Sequence, residues 1–151
     1  VATLTPWHFI SAGFGAGLAP RAPGTAGSLL GLFLGALLLA AGHLPLAFAI
    51  VVVAGLGIFA IGQVDTAGQD PGWIVIDEIA GQMIPLLALS HVSFWGLAFS
   101  FGLFRLFDIW KPGPVAWADS HHNEYGVMGD DLIAGSLALL AILALRTVWA
   151  L

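Results

Sequence analysis

The sequence predicts an all-α, polytopic membrane bundle of about five spanning helices, with a short re-entrant or interfacial helix at the N-terminus. Three observations predict it. Hydrophobic residues make up 59% of the chain and charged residues only 9%, against roughly 25% charged in an ordinary soluble domain; so few charges cannot wet the surface of a 151-residue protein. Long stretches carry no Asp, Glu, Lys or Arg: between Arg21 and Asp65, between Glu78 and Arg105, and between Asp131 and Arg146. When these stretches are threaded through a bilayer, every charged residue except Arg146 falls at or near one face, although nothing in the threading imposes that result.

A spanning helix needs about 20 mostly apolar residues. The first uncharged stretch holds two candidates, Gly27–Ala41 and Leu44–Gly62, separated by a turn at Gly42-His43-Leu44-Pro45. Asp70-Pro71 reads as an N-cap followed by proline at the first helical position, which opens a third helix running to about Leu89. Ser90-His91-Val92-Ser93 is a short turn, and a fourth helix runs from Phe94 to about Trp110, where Lys111-Pro112-Gly113-Pro114 stops it. The fifth starts at Asp130-Asp131 and runs towards the C-terminus. Pro6–Leu18 is too short and glycine-rich for a span and is expected to lie at the interface, with Trp7 at headgroup level. The six Trp are expected as interface anchors and the 20 Gly as points of close helix approach. The length fits one membrane-embedded domain over residues 1–151. No signal peptide is legible in residues 1–7, and because the chain begins at Val1 rather than Met, a few residues are expected to precede it.

A net charge of −5 argues against a nucleic-acid partner. With no cysteine, thiolate metal sites and thiol nucleophiles are excluded. The charged face carries Arg21, Arg105 and Lys111, which makes it the cytoplasmic face by the positive-inside rule. It also carries Asp65, Asp70, Asp77, Glu78, Asp108, Asp119, Glu124, Asp130 and Asp131. That excess of acids over bases calls for a bound cation, and oxygen ligands favour Mg²⁺ or Mn²⁺.

Asp77 and Glu78 are read as lying two turns inside their helix, where acids cost free energy unless they have a partner. That partner is either a cation or an ion pair with Arg105 or Lys111. Arg105, Asp108 and Lys111 recur every third residue and share one helix face. One of Asp130 and Asp131 is expected to cap the last helix, and the other, preferably Asp131, to bind metal. The loop Ala19–Ser28 opens a helix, so Gly24, Thr25 and Gly27 can offer backbone N–H groups to a phosphate with Arg21 as counter-charge; the alternative is an ordinary loop with Thr25 as cap. His122, or less plausibly His121, can donate a proton to a leaving alcohol oxygen or be a solvated loop residue.

Four blocks together resemble a known family, the phosphatidylglycerophosphatase A family of bacterial membrane lipid phosphatases. They are Gly13-Phe-Gly-Ala-Gly-Leu-Ala-Pro-Arg-Ala-Pro-Gly-Thr-Ala-Gly-Ser28, Asp70-Pro-Gly-Trp-Ile-Val-Ile-Asp-Glu-Ile-Ala-Gly81, Phe104-Arg-Leu-Phe-Asp-Ile-Trp-Lys-Pro112 and Gly126-Val-Met-Gly-Asp-Asp-Leu-Ile-Ala-Gly135. The resemblance implies Mg²⁺-dependent hydrolysis of phosphatidylglycerophosphate to phosphatidylglycerol and phosphate, a step of glycerophospholipid synthesis. It implies a multi-pass protein of the cell inner membrane, with the site facing the cytoplasm and the phospholipid substrate in the bilayer. Arg21, Thr25, Asp77, Glu78, Arg105, Asp108, Lys111, His122, Asp130 and Asp131 fall in its motifs. On this reading Asp77, Glu78, Asp131 and Asp130 hold the metal, and Arg21, Gly24, Thr25, Arg105 and Lys111 bind the phosphate, with Asp108 orienting Arg105 or serving as a further ligand. The chain departs from the family pattern after His122, where Asn123-Glu124-Tyr125 stands in place of glycines. A small ion-coupled transporter using the same acidic cluster is the alternative in another function class.

Overall fold

The computed structural model describes residues 4–64, 66 and 69–149, so the expectations for Asp65 and for residues 1–3 lie outside it. All regular structure among the described residues is helical. The order is α1 (Pro6–Ser11), a 3-10 turn (Ala16–Leu18), α2 (Pro23–Ala41), α3 (His43–Gly62), α4 (Ile76–Met83) continued by a 3-10 stretch (Ile84–Ala88), α5 (Phe94–Trp110), α6 (Gly113–Asp119) and α7 (Glu124–Leu145).

The N-terminal segment is a short helix and a turn. Pro6 opens α1, and the Thr5 amide donates to His8 Nδ1 at 3.1 Å. The chain reverses through three consecutive left-handed residues, Gly13, Phe14 and Gly15 (φ 60°, 58° and 106°). Gly17 then lies so close to Trp73 that a Cβ there would run into the Trp73 carbonyl. Trp7 packs edge-on against Phe59 and His8 stacks on Trp73.

α4 is the central element, packed by α2, α3, α5 and α7 and buried along nearly its whole length. Small residues let its neighbours approach. Gly27, Gly31 and Gly35 form an i, i+4 stripe on α2, where added Cβ atoms would stand 2.8 Å from Val75 Cβ, 2.7 Å from the Ile79 carbonyl and 2.9 Å from Leu86 Cδ2. On the far side, Gly81 of α4 meets Gly135 of α7, whose added Cβ would collide with the Gly81 carbonyl.

The outward faces are apolar. Leu29, Phe33 and Leu37 of α2, Phe48, Val51 and Phe59 of α3, and Leu140 and Leu143 of α7 are all exposed, whereas Ser28, Asp77, Gln82, Ser100, Asp130 and Asp131 are buried. Polar inside and apolar outside reverses the soluble pattern and fits a lipid solvent. α2, α3 and α7 are each long and apolar enough to cross a membrane. Trp95, Trp110, Trp117 and Trp149 are all exposed. Arg146 is at the far end, where its guanidinium donates to the Ala88 carbonyl at 2.7 Å.

Three expected boundaries are corrected. The third helix does not begin at Asp70-Pro71: the Ile74 amide bonds back to the Pro71 carbonyl and the Val75 amide to the Ser11 carbonyl, so these groups are spent outside a helix and α4 starts at Ile76. Nor does it continue unbroken to Leu89, since Pro85, which has no N–H, falls in the 3-10 stretch. The last helix begins at Glu124 rather than Asp130, because the Asn123 side chain accepts from the Gly126 amide at 2.9 Å and caps it. Neither Asp130 nor Asp131 is therefore a cap. Thr25 is not one either: α2 starts at Pro23 behind Ala22, leaving Thr25 in the first turn.

Candidate active site

These shifts gather the acids at one end of the bundle. Asp77 and Glu78 occupy the first turn of α4, not a position two turns inside it. There the helix dipole favours negative charge, and the Glu78 amide donates to Asp77 Oδ1 at 3.0 Å. Asp130 and Asp131 lie about two turns inside α7. Each helix thus carries an aspartate four residues before the glycine of the α4–α7 crossing, Asp77 before Gly81 and Asp131 before Gly135. Residues four apart share a face, so the glycine contact draws the aspartates together. Carboxylate oxygens of Asp77, Asp130 and Asp131 all lie within 4.8 Å of one another, and the three residues are 2–3% exposed.

Buried carboxylates that close repel one another unless something positive sits between them. Among the described residues, Asp130 Oδ1, Asp131 Oδ1 and Glu78 Oε2 are buried without a hydrogen-bond partner. An all-oxygen set with unpartnered lone pairs suits a hard cation such as Mg²⁺. Glu78 is not one of the converging trio. It turns towards the start of α2, where a Cβ on Gly24 would stand 3.0 Å from Glu78 Oε1 and 3.5 Å from Arg105 Nη1. The first-turn amides of α2, at Gly24 and Thr25, have no intrahelical partner.

The expected shared face on α5 is present. Arg105 donates to Asp108, and Lys111 Nζ lies 3.7 Å from Asp108 Oδ1. Lys111 also donates to Asp130 Oδ2 at 2.9 Å and lies 3.7 Å from Asp119 Oδ1. Burial works to lower the Lys111 pKa, but the surrounding Asp130, Asp108 and Asp119 carboxylates outweigh it and fix the ammonium form. The rival reading of Asp77 and Glu78 as simple ion-pair partners fails for Asp77, because among the described residues Arg105 and Lys111 pair with Asp108, Asp119 and Asp130.

A cavity of about 340 Å³ opens beside this cluster, lined by Gln69, Asp70, Asp119, His121, His122, Gly126 and Val127. Burial, with Glu78 and Asp119 adding to it, raises the Asp70 carboxyl to about 6. His122 is exposed on its wall, and the His121 ring bonds the Trp117 carbonyl. Arg21 is exposed and forms no ion pair among the described residues. Asp70 and Asp119 reach the site without having been singled out for it. Only the fold brings them within 4.8 Å of Asp130, since α6, which ends at Asp119, follows a proline-rich stretch that reads as a plain loop.

A family model described as phosphatidylglycerophosphatase A matches residues 9–146. A protein of that name from Escherichia coli (strain K12) is 38% identical over 139 residues, covering 88% of this chain and 79% of the relative. One from Haemophilus influenzae is 36% identical over 150 residues, covering 97% and 92%. A Bacteroides thetaiotaomicron protein, provisionally named a phosphatidylinositol-3-phosphatase, is 37% identical over 147 residues, covering 92% of each chain. No solved structure matches the chain significantly.

Proposed function

Because the chain belongs to the phosphatidylglycerophosphatase A family and is a phosphoric monoester hydrolase, we propose that it removes the terminal phosphate of phosphatidylglycerophosphate with the help of Mg²⁺, at the cytoplasmic face of the inner membrane. The observation that carries the metal is the buried trio Asp77, Asp130 and Asp131, whose oxygens converge with lone pairs to spare. Mg²⁺ bound there supplies Lewis-acid neutralisation of phosphoryl charge.

The remaining work falls to the chain itself. Arg105, held by Asp108, and the open amides of Gly24 and Thr25 stand near one another and clamp phosphoryl oxygens. Exposed Arg21 draws the anionic headgroup in. Glu78, next to Asp77 in sequence and bordering Gly24, has an unpartnered Oε2 with which it would join the trio only once the ion is bound. Water attacks the phosphorus in line, and as the P–O bond to glycerol breaks, His122 across the cavity protonates the departing glycerol oxygen. The acyl chains stay in lipid against the apolar outer faces of the helices. The gathering of Arg21, Arg105 and Lys111 at the charged end supports the cytoplasmic orientation. An ion-coupled transporter needs polar groups reachable from both faces, and the far-end turns around His43 and His91 carry no Asp, Glu, Lys or Arg.

Phosphate release in detergent micelles tests this reading, with phosphatidylglycerophosphate, phosphatidic acid and phosphatidylinositol 3-phosphate compared side by side. Release is expected to be fastest from phosphatidylglycerophosphate, to stop with EDTA and to return with Mg²⁺. EDTA-resistant turnover contradicts the metal, and faster turnover of another lipid contradicts the substrate.

A further inference from the structure

Asp130 belongs to two groups of carboxylates. Its oxygens converge with those of Asp77 and Asp131 on one side and with those of Asp70 and Asp119 on the other, each group lying within 4.8 Å. Two acidic groups joined by one aspartate resemble a layout for paired divalent ions about 3.5–4 Å apart. The second group, however, already holds a cation of the protein's own. Lys111 Nζ donates to Asp130 Oδ2 at 2.9 Å and stands 3.7 Å from both Asp119 Oδ1 and Asp108 Oδ1.

The backbone supports this placement. Lys111 ends α5 in the left-handed region, at φ 54°, a place that favours glycine. Its amide is fixed to the Phe107 carbonyl at 2.9 Å and Pro112 follows, so the residue is anchored where its ammonium meets α6 and α7. The two Asp130 oxygens are then divided. Oδ2 is held by Lys111, and Oδ1 is buried without a partner among the described residues. A second divalent ion held by Asp70, Asp119 and Asp130 would have to share the Asp130 carboxylate with an ammonium about 3 Å from its Oδ2, against the mutual repulsion of two cations.

We infer that Lys111 takes the place of a second metal, so that the site binds one divalent ion at Asp77, Asp130 and Asp131 and uses the lysine ammonium as its other positive centre. This rests on reading that trio as the divalent-ion site. The Lys111 side chain is 32% exposed and its ammonium has two N–H groups beyond the one given to Asp130, enough to meet a phosphoryl oxygen as a second metal would.

The test is a count of bound Mn²⁺, by electron paramagnetic resonance, on the full chain in detergent without substrate. One Mn²⁺ per wild-type chain is expected. Lys111→Met is expected to bind two and to show the broadened spectrum of a coupled pair, and adding Asp119→Asn to it should restore one. Lys111→Arg, which keeps the charge, should bind one. Two ions in the wild type, or one in folded Lys111→Met, overturn the inference and leave the trio reading intact. No ion in the wild type overturns both. Should Lys111→Met fail to fold, the counts for the wild type and Lys111→Arg decide, since two ions in either contradict the inference.

Discussion

Asp77→Asn is expected to reduce phosphate release by on the order of 100- to 1000-fold, the equivalent of several kcal/mol of lost charge stabilisation in the transition state, while leaving the helical circular dichroism unchanged. Asp77 is 2% exposed in the first turn of α4 and supplies one of three converging carboxylates. The amide isostere keeps the shape and one oxygen but removes the charge. Because the trio is crowded with like charges, losing one should leave the metal-free fold as stable as before or more so. Activity and stability therefore move in opposite directions. A variant that loses both together would instead point to a structural role for Asp77, and one that keeps near-normal turnover would remove it from the site.

The second large effect concerns a residue with no chemistry. Gly135→Val should cost both activity and stability, the latter by more than the 1–3 kcal/mol usual for overpacking. The obstacle is backbone, the Gly81 carbonyl, which cannot rotate aside as a side chain can. Gly81→Ala meets the reciprocal obstacle, with its Cβ 2.6 Å from the Asp131 carbonyl oxygen and 2.7 Å from Phe104 Cε1. Since Asp77 and Asp131 each stand one turn from this crossing, separating α4 from α7 separates the carboxylates. Gly102→Ala is the control: nothing lies within 4 Å of its added Cβ, so it should be silent in activity and slightly stabilising through helix propensity. Thermal unfolding in detergent and phosphate release, measured on the same preparations, check all three.

The features legible in the sequence are those set by composition or by spacing within one helix. The uncharged stretches mark α2, α3, α5 and α7, and the one-sided charge distribution marks the end of the bundle where the acids gather. The i, i+3 recurrence of Arg105, Asp108 and Lys111 needed only an intact helix to become the observed ion-pair row. The boundaries were harder because their hydrogen bonds are not local. Asp70-Pro71 has the chemistry of a helix start, yet the Val75 amide is claimed by Ser11, more than sixty residues earlier. Asp130-Asp131 likewise looks like a cap, while the true start at Asn123 leads into a turn with glycines at 126 and 129 that propensity disfavours. Packing overrides propensity there: Gly126 lies against the His121 carbonyl, where any side chain would clash, and Met128 is fully buried against Gly57. In sequence, Lys111-Pro112-Gly113-Pro114 reads only as the stop of α5; Pro114 in fact sits in the first turn of the next helix. The convergence of Asp70 and Asp119 on Asp130 follows from that topology and has no signature along the chain.

We expect acids from two separate helices, α4 and α7, to enclose one divalent ion beneath the charged face. Anomalous diffraction from crystals soaked in Mn²⁺, collected at the manganese edge, addresses it directly. A single peak bound by oxygens of Asp77, Asp130 and Asp131 is predicted, with Lys111 still on Asp130. A peak seated on other residues, or none at a Mn²⁺ concentration that supports turnover, contradicts it.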